Sequence, residues 1–257
     1  MQIIIPKQVE EILAGLRADG YEAFAVGGCV RDTLLGRVPG DWDITTSARP
    51  EQVKKVFGKT IDTGLQHGTV TVMREHVGYE ITTYRIDGEY EDARHPKEVA
   101  FTSDLKEDLR RRDFTINAMA YSHETGIVDI FGGMKDLKEG VVRCVGNAVE
   151  RFTEDALRIL RAIRFSAQLN FTIEDETYAA LTVIAPNLAN VSKERIQAEL
   201  TKTLLSDHPE RILLVEETGM SPYISAGGFY GVCSNNLRGG GGGLRCPAGG
   251  GGGGGAA

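Results

Sequence analysis

Long apolar runs are missing from this 257-residue chain. None approaches the roughly 20 residues that a membrane-spanning helix needs, so no membrane association is expected. The N-terminal stretch MQIIIPKQVEEIL has neither a basic segment nor a small-residue cleavage site, and it does not read as a secretory signal. Cysteine is sparse: Cys29, Cys144, Cys233 and Cys246 lie far apart with no Cys-x-x-Cys pair. That argues against a disulfide framework or a zinc site and for reduced thiols in a cytoplasmic protein. An excess of positive charge is also absent. The net charge is −7, and because residues 219–257 hold two arginines and no acid, residues 1–218 carry −9. Any attraction to nucleic acid therefore needs a local basic patch.

What is present divides into three parts. Residues 1–140 mix helical and strand patterns. PKQVEEILAGLRADG reads as an amphipathic helix ending at a glycine, YEAFAVGG as a strand running into a turn, and DWDITT as a second strand. HGTVTVMREHVGYEITTYR reads as a hairpin turning around residues 76–78. Residues 141–218 are helical in pattern throughout, with TEDALRILRAIRFSAQL expected to open at Thr153 as its N-cap. Residues 219–257 break with both, holding 16 of the 32 glycines and almost no periodicity. Too poor in apolar surface to offset the entropy of ordering, they are expected to be disordered. The expected fold is α+β: a head built on a mixed or antiparallel sheet, followed by an all-α neck.

The segment FAVGGCVRD passes from an apolar strand through Gly27-Gly28 into a helix carrying Arg31. Such a turn gathers backbone N–H groups and a helix start at one point, which suits a phosphate. Taken alone, a Gly-Gly pair is more often just a tight turn, and the spacings of a dinucleotide fold or a P-loop are absent. A dozen residues later, GDWDITT sets Asp41 and Asp43 two apart, on one face of the expected strand. Trp42 between them would face the core. Two carboxylates so placed repel unless a cation lies between them or water solvates them. Beside a phosphate cradle the pair fits Mg²⁺, which takes one or two carboxylates plus substrate phosphate oxygens. Glu80, in YEITTYR on a neighbouring strand, is either a third carboxylate or an ordinary strand-face acid.

In EDALRILRAIRF, Arg158, Arg161 and Arg164 recur every three residues along one side of a helix, with Glu154 and Asp155 a turn earlier. Surface pairing of Glu154 with Arg158 is the plain reading. Base chemistry supplies another. Cytosine and adenine each present an amine donor beside a ring-nitrogen acceptor, whereas uracil and guanine present the reverse. Asp155, which only accepts, beside Arg158, which only donates, matches C and A and mismatches U and G. In a dry site that mismatch is worth selectivity on the order of 10⁴-fold.

VGGCVRDTLLGRVPGDWDITT strongly resembles the signature of the class II CCA-adding enzymes and bacterial poly(A) polymerases, tRNA nucleotidyltransferases of the DNA polymerase β-like superfamily. The resemblance runs over about residues 5–218. It implies a polymerase β-like head, a helical neck, and addition of C and A to the 3′ end of tRNA from CTP and ATP with release of pyrophosphate. It also implies that Asp41 and Asp43 hold Mg²⁺, with Gly27, Gly28 and Arg31 at the nucleotide phosphates. RRRDFTINAMA matches a second motif of the family, which implies Arg112 on phosphate and Asp113 near the ribose. DIFGG (129–133) resembles the hinge between head and neck. The resemblance gives Asp155 and Arg158 the role of a protein template for the base, with Arg161 and Arg164 as further nucleotide contacts. SKERIQAEL resembles a bracing helix, which implies structural roles for Glu194, Arg195 and Glu199. The segment DGEYEDARHPKEVAF (87–101) resembles the loop that A-adding members need. Full-length members continue into body and tail domains, whereas the match here ends near Gly219. An A-adding enzyme or poly(A) polymerase shares these motifs; outside the enzymes, a non-catalytic nucleotide- or RNA-binding fragment is the alternative.

Overall fold

The computed structural model describes residues 3–87 and 99–224. Most of the charged loop read at 87–101, and nearly all of the glycine-rich stretch from 219 onward, lie outside the described residues.

Helix α1 (Lys7–Ala18) buries Val9, Ile12, Leu13 and Leu16, the i, i+3, i+4, i+7 spacing of one helical face. Gly20, at φ 86°, then turns the chain into strand β1 (Ala23–Val26). This strand is buried on both faces: Ala23 and Ala25 join the cluster under α1, and Phe24 and Val26 join a second cluster with Tyr84, Leu109 and Ala120. Then follow α2 (Gly28–Leu34), β2 (Ile44–Thr46), α3 (Pro50–Val56), β3 (Thr60–Gly64), β4 (Thr69–Arg74) and β5 (Val77–Thr83). A small pair, β6 (Arg85–Asp87) with β7 (Val99–Phe101), leads to α4 (Leu105–Arg110), and β8 (Met119–Ser122) and β9 (Gly126–Asp129) complete the head. The main sheet has the order β3-β4-β5-β2-β1-β8-β9. Only β2 and β5 run parallel in it, so the sheet is mixed.

Helix α5 (Gly133–Glu139) follows the head sheet, and the neck comprises β10 (Val141–Val142), α6 (Ala148–Glu154), α7 (Leu157–Leu169), β11 (Thr172–Ile173), α8 (Asp175–Ile184), α9 (Lys193–Leu204), α10 (Leu214–Glu217) and α11 (Ser221–Ile224). Its core includes Phe114 and Ile116 from the second motif, as well as Val142, Phe152, Leu160, Ile163 and Leu181. That motif is therefore the seam of the molecule, because Met119 and Ala120 a few residues on enter the two head clusters.

Several expectations need correction. The neck is not all helical: β10 and β11 pair in parallel, which carries Val142 and Ile173 into the core. It also extends past residue 218, since Met220 is fully buried in the same core and α11 follows it. The hairpin turns at Glu75 and His76, both at positive φ (48° and 68°), with Arg74 paired to Val77; the turn lies ahead of the expected 76–78. Thr153 caps nothing. It sits in the last turn of α6, where its hydroxyl donates to the Val149 carbonyl (2.7 Å), and α6 itself is capped by Asn147, whose Oδ1 accepts from Glu150 N (3.0 Å). The segment read as a hinge leads directly into a capped helix start. Asp129 accepts from the N–H groups of Gly133 (2.7 Å) and Met134 (2.9 Å), capping α5, and a Cβ at Gly133 would lie 2.2 Å from the Thr115 carbonyl oxygen.

Candidate functional site

Where β1 ends, Gly27 adopts φ 83°, a conformation that favours glycine. Its N–H donates to Met119 O (3.1 Å), while Val26 N donates to Asp43 O (3.0 Å). The turn is thus held between β8 on one side and the lead-in to β2 on the other. Asp41 and Asp43 lie on that lead-in, just ahead of the strand rather than within it. Trp42 between them is half-buried against the head core, as the alternation required.

The turn, the aspartates and the neck helix α7 enclose a cavity of about 590 Å³. Of the twelve residues singled out in the sequence, Gly27, Gly28, Arg31, Asp41, Asp43, Arg112, Asp113, Asp155, Arg158, Arg161 and Arg164 all line it. So do Arg111 and Arg195, and the seven arginines outnumber the four aspartates of the wall. In a chain of net charge −7, this is the local basic patch.

Each arginine is oriented by a partner. Arg31 donates to Asn117 Oδ1 (2.6 Å) and to Asp32 (2.8 Å). Arg112 reaches Asp108 (3.4 Å), a carboxylate with no exposure that also holds Arg111 (2.8 Å) and accepts from the Thr45 hydroxyl (3.0 Å). Arg161 makes a forked pair with Asp113 Oδ2 (2.8 and 2.6 Å). Asp113 also accepts from Phe114 N (2.8 Å) and Asn117 Nδ2 (3.0 Å). Burial alone raises the Asp113 pKa, but the Arg161 charge and these hydrogen bonds overcome it and hold the carboxyl well below the ordinary range. Arg164 is paired with Glu199 on α9.

Asp155 and Arg158 have separate side-chain anchors. Asp155 occupies the break between α6 and α7, where Oδ1 accepts from Leu157 N (3.1 Å) and Oδ2 from Arg195 of α9 (2.7 Å). Arg158 is held by Glu154 and by the carbonyls of Arg151 (2.7 Å) and Arg111 (3.2 Å). The plain ion pair read from the sequence is therefore real, and it leaves both groups on the cavity wall.

Asp41 and Asp43 present hard oxygen donors in an otherwise basic cavity. Desolvation raises the Asp43 pKa, as does Asp41, while Arg112 opposes them. A carboxylate whose charge is disfavoured, with a second carboxylate beside it, suits a divalent cation. Glu80 stands on β5 opposite Thr71 and lines, together with Asp41 and Asp43, a neighbouring cavity of about 420 Å³. Among the described residues no three His, Cys, Asp or Glu side chains come together as a metal cluster, so the fit rests on the two aspartates.

Residues 23–143 match the family described as "Poly A polymerase head domain", and residues 170–225 the family described as "Probable RNA and SrmB- binding site of polymerase A". The chain belongs to the poly(A) polymerase and tRNA nucleotidyltransferase family. It is 52% identical over 204 residues to the CCA-adding enzyme of Leuconostoc mesenteroides, a match covering 79% of this chain and 51% of that protein. It is 48% identical over 219 residues to that of Geobacillus thermodenitrificans, covering 85% and 54%. Among solved structures it resembles the Bacillus stearothermophilus CCA-adding enzyme in complex with CTP (TM-score 0.80, 43% identity), over 87% of this chain and 55% of the other. It also resembles the Thermotoga maritima CCA-adding enzyme complexed with tRNA (TM-score 0.70, 28% identity), over 87% and 56%. The chain spans about half the length of the curated relatives it matches.

Within this family frame, the wall also holds Arg111, Asn117, Leu157 and Phe165, which the sequence did not single out, and Arg195, for which only a structural role was expected. Asn117 carried a signal, a carboxamide inside the apolar run FTINAMA. Arg195 was expected only to brace the neck, and its place beside Asp155 comes from the packing of α9. No helix among the described residues is long and apolar enough to cross a membrane.

Proposed function

We propose that this chain is the nucleotide-adding part of a cytoplasmic CCA-adding enzyme, extending the 3′ end of tRNA with C and A from CTP and ATP. The supporting observation is the convergence of seven arginines, the Asp41–Asp43 pair and Asp155 on one cavity. Arg31, Arg112, Arg161 and Arg164 bind the triphosphate, with Gly27 and Gly28 leaving room for its backbone-side approach. Asp113 steers Arg161 and lies near the ribose. Asp155 accepts from the exocyclic amine of C or A, and Arg158 donates to the adjacent ring nitrogen. Their separate anchors, Arg195 and Glu154, keep acceptor and donor apart and oriented. Asp41 and Asp43 would hold Mg²⁺, whose charge when bound lowers the pKa of the attacking 3′-hydroxyl and offsets charge on the departing pyrophosphate. The rest is positioning and charge neutralisation without a covalent intermediate.

The test is binding of CTP, ATP, UTP and GTP, each with Mg²⁺, to the wild-type chain and to Asp155→Ala. Asp155 and Arg195 keep 17% and 22% of their side chains exposed, so discrimination is set by one paired edge and amounts to roughly 10- to 100-fold for CTP and ATP over UTP and GTP. Asp155→Ala abolishes it. Equal binding of all four by the wild-type chain refutes the template role.

A further inference from the structure

Three guanidiniums converge on a single ring. Phe165, on α7, is 4% exposed and belongs both to the neck core and to the wall of the cavity. The Cζ atoms of Arg164, Arg31 and Arg161 lie 4.1, 4.9 and 5.5 Å from its centroid. All three fall within the range of about 6 Å at which a cation is drawn to an aromatic quadrupole. Phe114 meets the same ring edge-on, with centroids 5.7 Å apart, and so fixes it from the core side.

Three like charges gathered so closely repel one another, and their outer partners pull them in different directions. Arg31 is tied to Asn117 and Asp32, Arg161 to Asp113, and Arg164 to Glu199 and Gln168. The group they hold in common is the Phe165 ring.

We propose that Phe165 is a positioning residue whose ring gathers Arg31, Arg161 and Arg164 into one preassembled wall for a polyphosphate anion. This rests on the nucleotide reading given above and adds to it the reason that the cationic wall is already assembled before the anion arrives. Phe165 touches no reacting atom in this scheme; it acts through the three guanidiniums. An aliphatic side chain would fill the core but offer no quadrupole.

The probe is inorganic tripolyphosphate, titrated calorimetrically without metal into the wild-type chain and into Phe165→Leu, Phe165→Met and Phe165→Tyr, with CTP titrated in parallel. Each variant is first shown to melt cooperatively, and those that do so carry the comparison. The leucine and methionine variants are expected to bind tripolyphosphate about tenfold more weakly than wild type, while the tyrosine variant, which keeps the ring, stays within about twofold of it. A merely structural role would not separate ring from aliphatic variants of equal melting temperature. The proposal is overturned if a folded leucine or methionine variant binds as tightly as wild type, or if a folded tyrosine variant loses as much as they do. If the wild-type chain itself binds neither tripolyphosphate nor CTP, the nucleotide reading falls together with this one. If it binds both and ring loss changes nothing, only the role of Phe165 is lost.

Discussion

Replacing Asp113 by Asn tests the electrostatic frame of the site. The substitution keeps an acceptor for Phe114 N and Asn117 but removes the charge that Arg161 pairs with at 2.6 and 2.8 Å. Breaking a buried pair from one side costs about 3–5 kcal/mol. Arg161 retains 34% of its side-chain exposure and Asp113 only 8%, so the orphaned guanidinium recovers some hydration and the loss is about 2–3 kcal/mol. For a chain of this size each kcal/mol moves the melting temperature by about 2–4 °C, giving a fall of roughly 5–10 °C at pH 7. The pH dependence has a definite sign. In the folded chain the Asp113 pKa lies below its unfolded value, near 3.9, so its stabilisation is complete above about pH 5 and is lost as the pH falls below 4 toward the folded pKa. The asparagine variant has no such term. The gap between the two melting curves, followed by calorimetry, should therefore be largest near pH 7 and shrink by about 1 kcal/mol per pH unit below 4. A variant melting within about 1 °C of wild type at pH 7, or a gap constant from pH 7 to 3, refutes the reasoning.

Asp108→Asn leaves Arg111 and Arg112 facing a neutral, fully buried partner and should cost about 3–5 kcal/mol in urea denaturation. Gly133→Ala forces a methyl to 2.2 Å from the Thr115 carbonyl oxygen and should cost at least about 3 kcal/mol, whereas Gly58→Ala, with nothing within 4 Å, should stay within about 0.5 kcal/mol of wild type. Burial, with a contribution from Asp43, pushes the Cys29 thiol up to about 11, and burial pushes Cys144 up to about 12. Iodoacetamide at pH 8 should leave both unmodified in the native chain, as peptide mapping would show.

Local patterns carried much of the architecture. The spacing of Val9, Ile12, Leu13 and Leu16 specified α1, the alternation around Trp42 specified which way it faces, and the Gly27-Gly28 turn specified a sharp exit from β1. Eleven of the twelve site residues picked out from motifs line one cavity. The break between α6 and α7 was placed too early, at Thr153, because 148–169 contains no helix breaker to fix it; it falls at Asp155. There the Asp155 carboxylate takes the Leu157 N–H and starts a new helix.

Residue type, periodicity and turn chemistry therefore determined the elements, the mixed head and helical neck, and the kinds of groups available for chemistry. Only the tertiary structure decided the partners. Arg31 meets Asn117 across 86 residues, Arg161 meets Asp113 across 48, Asp155 meets Arg195 across 40 and Arg164 meets Glu199 across 35. Periodicity tells which face of a helix a side chain occupies, but a charge is satisfied by whatever group packing brings within about 3 Å. That distance is set by how α7 and α9 lie against each other and against the seam at 113–117, and no local spacing encodes it.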